Sequence, residues 1–186
     1  MRKRAEQVEA TKLRITEAAM RLHTTIGPSK TTISGVAEEA GVTRLTVYRH
    51  FPSEEELFLT CSSHWATLHP GPDPRRWLDT EDLADRVRQA ISETYRFYAE
   101  NHRDLHPILR DFEAMPPDFQ QTMSTQLAEM GEALVKGTGI RGRRREALKA
   151  GGHLVLSFST WRSLVLESRL DAYTAEDVAV GFVLSI

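Results

Sequence analysis

The chain has 186 residues, 40% of them hydrophobic and 27% charged, with a formal net charge of −2. That is enough chain for one large domain or for a small module joined to a larger one, and too apolar a mixture for a disordered protein. A single cysteine, Cys61, excludes an intramolecular disulfide framework and fits a reducing cytoplasm.

The net charge hides an asymmetry. Residues 1–50 carry 9 Lys+Arg against 5 Asp+Glu, whereas residues 51–186 carry 15 against 21. A basic front on an acidic body points to a polyanion partner for the front alone. The N-terminal stretch MRKRAEQVEATKLR has no apolar segment behind its basic residues, so no secretory signal is expected. No run approaches the roughly 18 apolar residues that span a bilayer. These features predict a cytoplasmic location.

Apolar residues recur at helical spacing throughout, without sustained alternation or a βαβ pattern, which predicts an all-α fold of about nine helices. The first helix is expected from Ala5 to Ile26, burying Val8, Leu13, Ile15, Ala18, Ala19 and Leu22, with the GPS at 27–29 ending it. Two short helices follow, over 33–39 and 44–50. A fourth starts in PSEEELF, where Ser53 can cap the free amides and Glu56 can complete a capping box. Its apolar stripe is Leu57, Phe58, Cys61, Trp65 and Leu68. The prolines of HPGPDP at 69–74 then break the chain.

The remaining helices are expected over 80–100, 103–114, 117–137, 143–169 and 175–186. Leu83, Val87, Ile91, Tyr95 and Tyr98 form one apolar face, and Phe119, Met123, Leu127, Met130 and Leu134 another. The last two helices are apolar on more than one side, in LVLSFSTWRSLVLESRL and VAVGFVLSI, so a second subunit is expected to cover them. Gly151 and Gly152 fit either a close helix approach or a kink. Thr174 with Asp177 offers a cap for the final helix.

The stretch TTISGVAEEAGVTRLTVYRHF, residues 31–51, carries the function. Thr32 suits the N-cap of the first short helix, with Val36, Ala37 and Ala40 facing inward, and Thr43 suits the N-cap of the second, with Val47 and Phe51 facing inward. Gly41 permits the turn between them. This is a helix-turn-helix arrangement. With Val47 inward, Arg44, Thr46 and His50 should turn toward other faces, and Tyr48 and Arg49 toward the edges. Arg44 can then donate two hydrogen bonds to guanine, Thr46 can meet a base edge or a thymine methyl, and Tyr48 and His50 suit phosphate oxygens.

Residues 13–60 resemble the TetR family of bacterial transcriptional regulators, in the long first helix, the threonine-capped second helix, AGV, the YRHF ending and the capped fourth helix. The resemblance implies a three-helix DNA-binding bundle at 1–58 and a larger helical effector-binding and dimerisation domain at 59–186. It further implies a homodimer, joined through the last two helices, that binds a palindromic operator and responds to a small-molecule effector, most often as a repressor. Family-like DNA contacts fall on Thr32, Ser34, Thr43, Arg44, Leu45, Thr46, Tyr48, Arg49 and His50. Two positions depart from the family's pattern. Glu54 stands where a phosphate-contacting lysine is common, and Leu45 where a small residue is common. An alternative function is a TetR-like fold reused as a protein-binding adaptor or ligand-binding module with little DNA affinity, motivated by the Glu54–Glu56 cluster.

Other signals are weaker. His102 and His106 in HRDLH have a two-histidine metal spacing, but Pro107 follows directly, and no metal site is expected. RGRRRE at 141–146 reads as a solvated charge run. No phosphate-binding, dinucleotide, zinc-protease or nucleophile-elbow motif occurs, so neither a cofactor nor an enzyme is predicted. Tyr95, Tyr98, His102, Phe112, Met115, Phe119, Met123, Phe158 and Trp161 are candidate effector-lining residues on composition alone.

Overall fold

The computed structural model describes residues 2–186, with side chains from residue 3 onward. The described residues form ten α-helices and no strand. They are α1 (Arg2–Thr25), α2 (Ile33–Glu39), α3 (Arg44–His50), α4 (Glu54–Leu68), α5 (Pro74–Trp77), α6 (Leu83–Arg110), α7 (Pro117–Val135), α8 (Gly142–Val155), α9 (Phe158–Arg162) and α10 (Ala172–Leu184). Short 3-10 turns occupy Pro28–Lys30 and Phe112–Ala114, and a π-turn occupies Ser163–Glu167.

The chain divides into two compact units. The first holds the residues up to Pro70 together with Asn101–Gln120; the second holds Gly71–Glu100 and Gln121–Ile186. Helix α6 contributes its first two-thirds to one unit and its end to the other.

The first unit has a continuous apolar core of Ile15, Ala18 and Ala19 from α1, Ile33, Val36, Ala37 and Ala40 around α2, Val47 and Phe51 around α3, and Leu57 and Cys61 from α4. Two residues of the expected α1 face are instead exposed, Val8 and Leu13. Ile15, Ala18, Ala19 and Leu22 define the buried stripe at helical spacing, and Leu13 lies about 200° from Ile15, on the other side. Val8 shares the angle of Ile15 but sits about two turns earlier on the helix. Leu68, expected in the α4 stripe, is also exposed, in the last turn.

A buried polar pair lies in this core. The Cys61 sulfur is 3.3 Å from Nδ1 of His23 and 3.2 Å from the Phe58 carbonyl, and the His23 ring packs at 5.1 Å from Phe58. Burial pushes the Cys61 thiol up to about 12 and the His23 imidazole down to about 4. Both groups are therefore neutral at pH 7.

In the second unit Trp77, Val87, Ile91, Leu134, Leu148, Leu156 and Trp161 are fully or almost fully buried. Arg86 is buried with them, and it reaches the carbonyls of Thr80, Ala133, Leu134 and Lys136 at 2.5–3.3 Å. Its guanidinium thus supplies donors to the free carbonyls that end α7. A Cβ added to Gly152 would come 2.5 Å from the Leu134 side chain, and one on Gly131 would come 3.0 Å from the Lys149 carbonyl. Gly152 therefore serves close approach of α7 and α8, the first of its two sequence readings.

The helix boundaries differ from expectation at three places. The segments 80–100 and 103–114 are one helix, α6, because no residue between Glu100 and Arg103 breaks it, and Pro107 falls in its last turns, where a missing N–H removes a single hydrogen bond. The segment 143–169 breaks at Ser157, whose hydroxyl donates to the Leu154 carbonyl at 2.7 Å and accepts the Thr160 N–H at 3.3 Å, so a new helix is capped there. Helix α10 starts one turn early, capped by Asp171, whose carboxylate accepts the backbone N–H and the hydroxyl of Thr174 at 3.0 and 2.8 Å. Thr174 is the partner of that cap, and the expected cap with Asp177 is replaced.

Candidate nucleic-acid interface

Helices α2 and α3 occupy the two segments that the sequence assigns to them. The Thr32 hydroxyl accepts the Gly35 N–H at 3.1 Å, and the Thr43 hydroxyl accepts the Thr46 N–H at 3.2 Å, so each short helix begins on a threonine cap. Between them Gly41 has φ +63°, a backbone that a side chain resists, and the amide of Val42 returns to the Ala37 carbonyl at 2.9 Å. Val47 and Phe51 are buried and fix α3 by one side.

The opposite side is open. Thr32, Ser34, Thr43, Arg44, Leu45, Tyr48 and Arg49 are exposed, whereas Thr46 and His50 are half-buried. Leu45, 78% exposed, is the most outward apolar side chain. Helical geometry explains the difference from the expected facing. Leu45 and Arg49 lie two residues from Val47, about 160° away, whereas Arg44 and His50 lie three residues away, only about 60° from the inner face, and of these two Arg44, in the first turn, is exposed and His50 half-buried. Arg49 is thus a central outward residue, and His50 an edge one.

Because a capping hydroxyl accepts from the helix amides, its own proton remains to be donated. Thr32 keeps such a donor for a phosphate oxygen. Thr43 and Thr46 share one, since their hydroxyl oxygens are 3.0 Å apart and one proton lies between them. Arg44 and Arg49 form none of the ion pairs among the described residues. Beyond Phe51 the charge reverses, because Glu54, Glu55 and Glu56 open α4 behind the Ser53 cap, all three exposed.

Two groups near this surface have no local sequence signal. Lys12 of α1 stands over the Phe51 ring, with Nζ 5.3 Å from its centroid. At the loop that precedes α2, Asp111 accepts the N–H and hydroxyl of Ser29, and Arg110 donates to the Ile26 carbonyl at 3.0 Å and to Asp111 at 2.8 Å. The Arg110 guanidinium and the Ser29 donors hold the Asp111 carboxyl well below the usual carboxylate range. Gly27, with φ +95°, leaves no room for a Cβ beside these side chains. Partners some 40 and 80 residues away in sequence leave no periodic trace.

The candidate effector residues are divided between the units. Tyr95, Tyr98, Met123, Phe158 and Trp161 belong to the second, and His102, Phe112, Met115 and Phe119 to the first. Tyr98, Phe158 and Trp161 form one aromatic cluster, with ring centroids 5.4–5.9 Å apart. The hydroxyls of Tyr95 and Tyr98 donate to the carbonyls of Val155 and Leu156 at 3.1 and 2.8 Å, where α8 ends and its carbonyls need donors. Burial raises both phenols above their ordinary value. Phe119 packs edge-on against Phe58 at 5.0 Å. His102 and His106 are both on α6, and among the described residues no cluster of three His, Cys, Asp or Glu side chains forms a metal site.

The geometry defines a helix-turn-helix unit with its second helix presented outward. The family described as "Bacterial regulatory proteins, tetR family" matches residues 15–61. Over 57 residues the chain is 40% identical to the HTH-type transcriptional regulator TtgR of Pseudomonas putida, a stretch that covers 31% of this chain and 27% of TtgR. Among solved structures, a TetR transcriptional regulator from Rhodococcus sp. RHA1 is similar over 97% of this chain and 98% of its own, with 20% identity and a TM-score of 0.53. NalD of Pseudomonas aeruginosa is similar over 96% and 94%, with 18% identity and a TM-score of 0.55. The likeness to this family is thus confined to the N-terminal segment, and the chain aligns with about a quarter of the length of the curated relatives it matches, which are named as transcriptional regulators. The likeness to solved structures extends the fold, and the fold alone, over nearly the whole chain.

Proposed function

We propose that this protein is a ligand-responsive DNA-binding transcriptional regulator, a repressor, that binds a palindromic operator as a homodimer in the cytoplasm. Residues 1–58 form its DNA-binding domain and residues 59–186 its effector-binding and dimerisation domain. The observation that carries this reading is α3, a helix anchored by Val47 and Phe51 that offers Arg44, Leu45, Tyr48 and Arg49 to solvent. That is the shape and chemistry of a major-groove reading helix. Thr32, Ser34, Thr43, Thr46 and His50 complete the proposed contact set. The repressor assignment follows the family habit, and NalD is described as a secondary repressor of a multidrug efflux pump.

Dimerisation through the last two expected helical segments, 143–169 (α8, α9 and the π-turn) and 175–186 (mostly α10), is supported by exposed apolar side chains on both, Leu154 and Leu166 on the first and Val178 and Phe182 on the second. Two heads held about one DNA turn, or a small multiple, apart can read successive major grooves, and an effector that alters their separation releases the DNA. The effector is proposed to contact members of the set Tyr95, Tyr98, His102, Phe112, Met115, Phe119, Met123, Phe158 and Trp161, and its chemistry is best found from the genes beside the operator.

One observation favours a second reading, an adaptor with little DNA affinity: the three exposed glutamates at the start of α4 repel a phosphate backbone. A gel shift against the DNA flanking its own gene separates the two. Salt-sensitive, sequence-selective retention supports the regulator, and no retention at low salt supports the adaptor.

A further inference from the structure

Lys12 lies seven residues before Ala19 in α1, which returns it to nearly the same angle on the helix. Ala19 is fully buried and Lys12 half-buried, and the Lys12 ammonium lies 5.3 Å from the centroid of the Phe51 ring. Phe51 ends the reading helix, its N–H closing on the Val47 carbonyl, and its ring is buried. Lys12 forms none of the ion pairs among the described residues. An aromatic face holds an ammonium in place without supplying a counter-charge.

Three residues beyond Phe51 the chain carries Glu54, Glu55 and Glu56. A phosphate strand running past the C-terminal end of α3 would meet these three negative charges, and a cation at that end would offset them.

We infer that Lys12 is a backbone-phosphate contact, a cation from α1 positioned by Phe51 that fastens DNA at the C-terminal end of α3 and offsets the glutamates of α4. The inference rests on the DNA-binding reading above and goes beyond its contact set, because Lys12 lies outside both helices of the helix-turn-helix. It predicts a contact that adds affinity without adding sequence preference.

The test uses the full chain and a fluorescein-labelled duplex of mixed sequence, which suffices because a phosphate contact is independent of sequence. Lys12→Met keeps the apolar stem and removes the charge. Between ~50 and ~200 mM salt, the plot of log affinity against log salt for this variant should be shallower by about 0.9, the slope of one lost phosphate contact. Lys12→Arg should restore the slope. An unchanged slope in Lys12→Met overturns the inference, and a lowered melting temperature with an unchanged slope assigns Lys12 to packing only. In the unaltered protein, bound duplex should protect the Lys12 amine from acetylation, read by mass spectrometry; equal acetylation with and without bound duplex also overturns it. If the unaltered chain binds no DNA at low salt, the regulator reading itself fails and this inference with it.

Discussion

Asp111 accepts two hydrogen bonds from Ser29, from its backbone N–H at 3.1 Å and from its hydroxyl at 2.5 Å. Ser29 sits in the turn that joins α1 to α2, and Asp111 follows the last residue of α6. Replacing Asp111 with Ala leaves the Ser29 donors and the Arg110 guanidinium without this acceptor. The unfolding free energy should fall by about 1–2 kcal/mol, the ordinary cost of losing such bonds. Urea denaturation checks this, and Asp111→Ala with wild-type stability would show that the bonds do not hold the turn.

The buried His23 makes stability depend on pH in a defined window. Its folded value is about 4 against an ordinary 6.5, so between those values the unfolded chain binds a proton that the folded chain does not. Stability therefore falls as pH drops from about 6.5 to 4, by roughly 3 kcal/mol. His23→Leu should flatten that interval. Asp111 acts lower down, because its depressed value makes its contribution complete above its ordinary 3.8 and lost as pH falls further. Denaturation midpoints measured across pH, in both proteins, distinguish the two windows.

Gly152→Val should be destabilising by about 2–3 kcal/mol, because the added carbons meet the fully buried Leu134 side chain where α8 passes α7. A helix-propensity effect alone would change stability by about 1 kcal/mol or less. Calorimetry on the variant separates the two.

Val178 and Phe182 are one helical turn apart on α10, and both are about half exposed. On the proposed dimer, Phe182→Glu should yield monomers in analytical ultracentrifugation and weaken DNA binding much more than it alters the melting of the monomer. An unchanged sedimentation coefficient would place the subunit contact elsewhere.

The short-range features were the legible ones. Thr32, Gly41, Thr43 and Val47 specify α2, its turn and α3 within sixteen residues, because caps, turns and inward anchors are local choices of the chain. Ser53 is a further cap of that kind. The reading failed where a side chain acts at a distance or competes with the backbone. Ser157 interrupts an apolar run that periodicity alone extends to residue 169. Val8 and Leu13 look like core because an apolar residue carries no mark of whether a partner reaches it. Asp111 and Lys12 acquire their roles from Ser29 and Phe51, which only the folded chain brings near. Within α3, the angle from Val47 puts Leu45 and Arg49 outermost, whereas Arg44 and His50 share one angle and differ only in exposure, which periodicity does not carry.

Base reading by α3 is tested most directly at Arg44. After selecting bound fragments from the host genome, the affinities of the unaltered protein and of Arg44→Ala are compared on the selected site and on mixed-sequence DNA at one fixed salt concentration. A loss of about 1–3 kcal/mol confined to the selected site is expected, so that preference collapses while background binding changes little. Equal losses on both duplexes would contradict base reading, since they would make Arg44 a charge on the surface and α3 a helix that reads nothing.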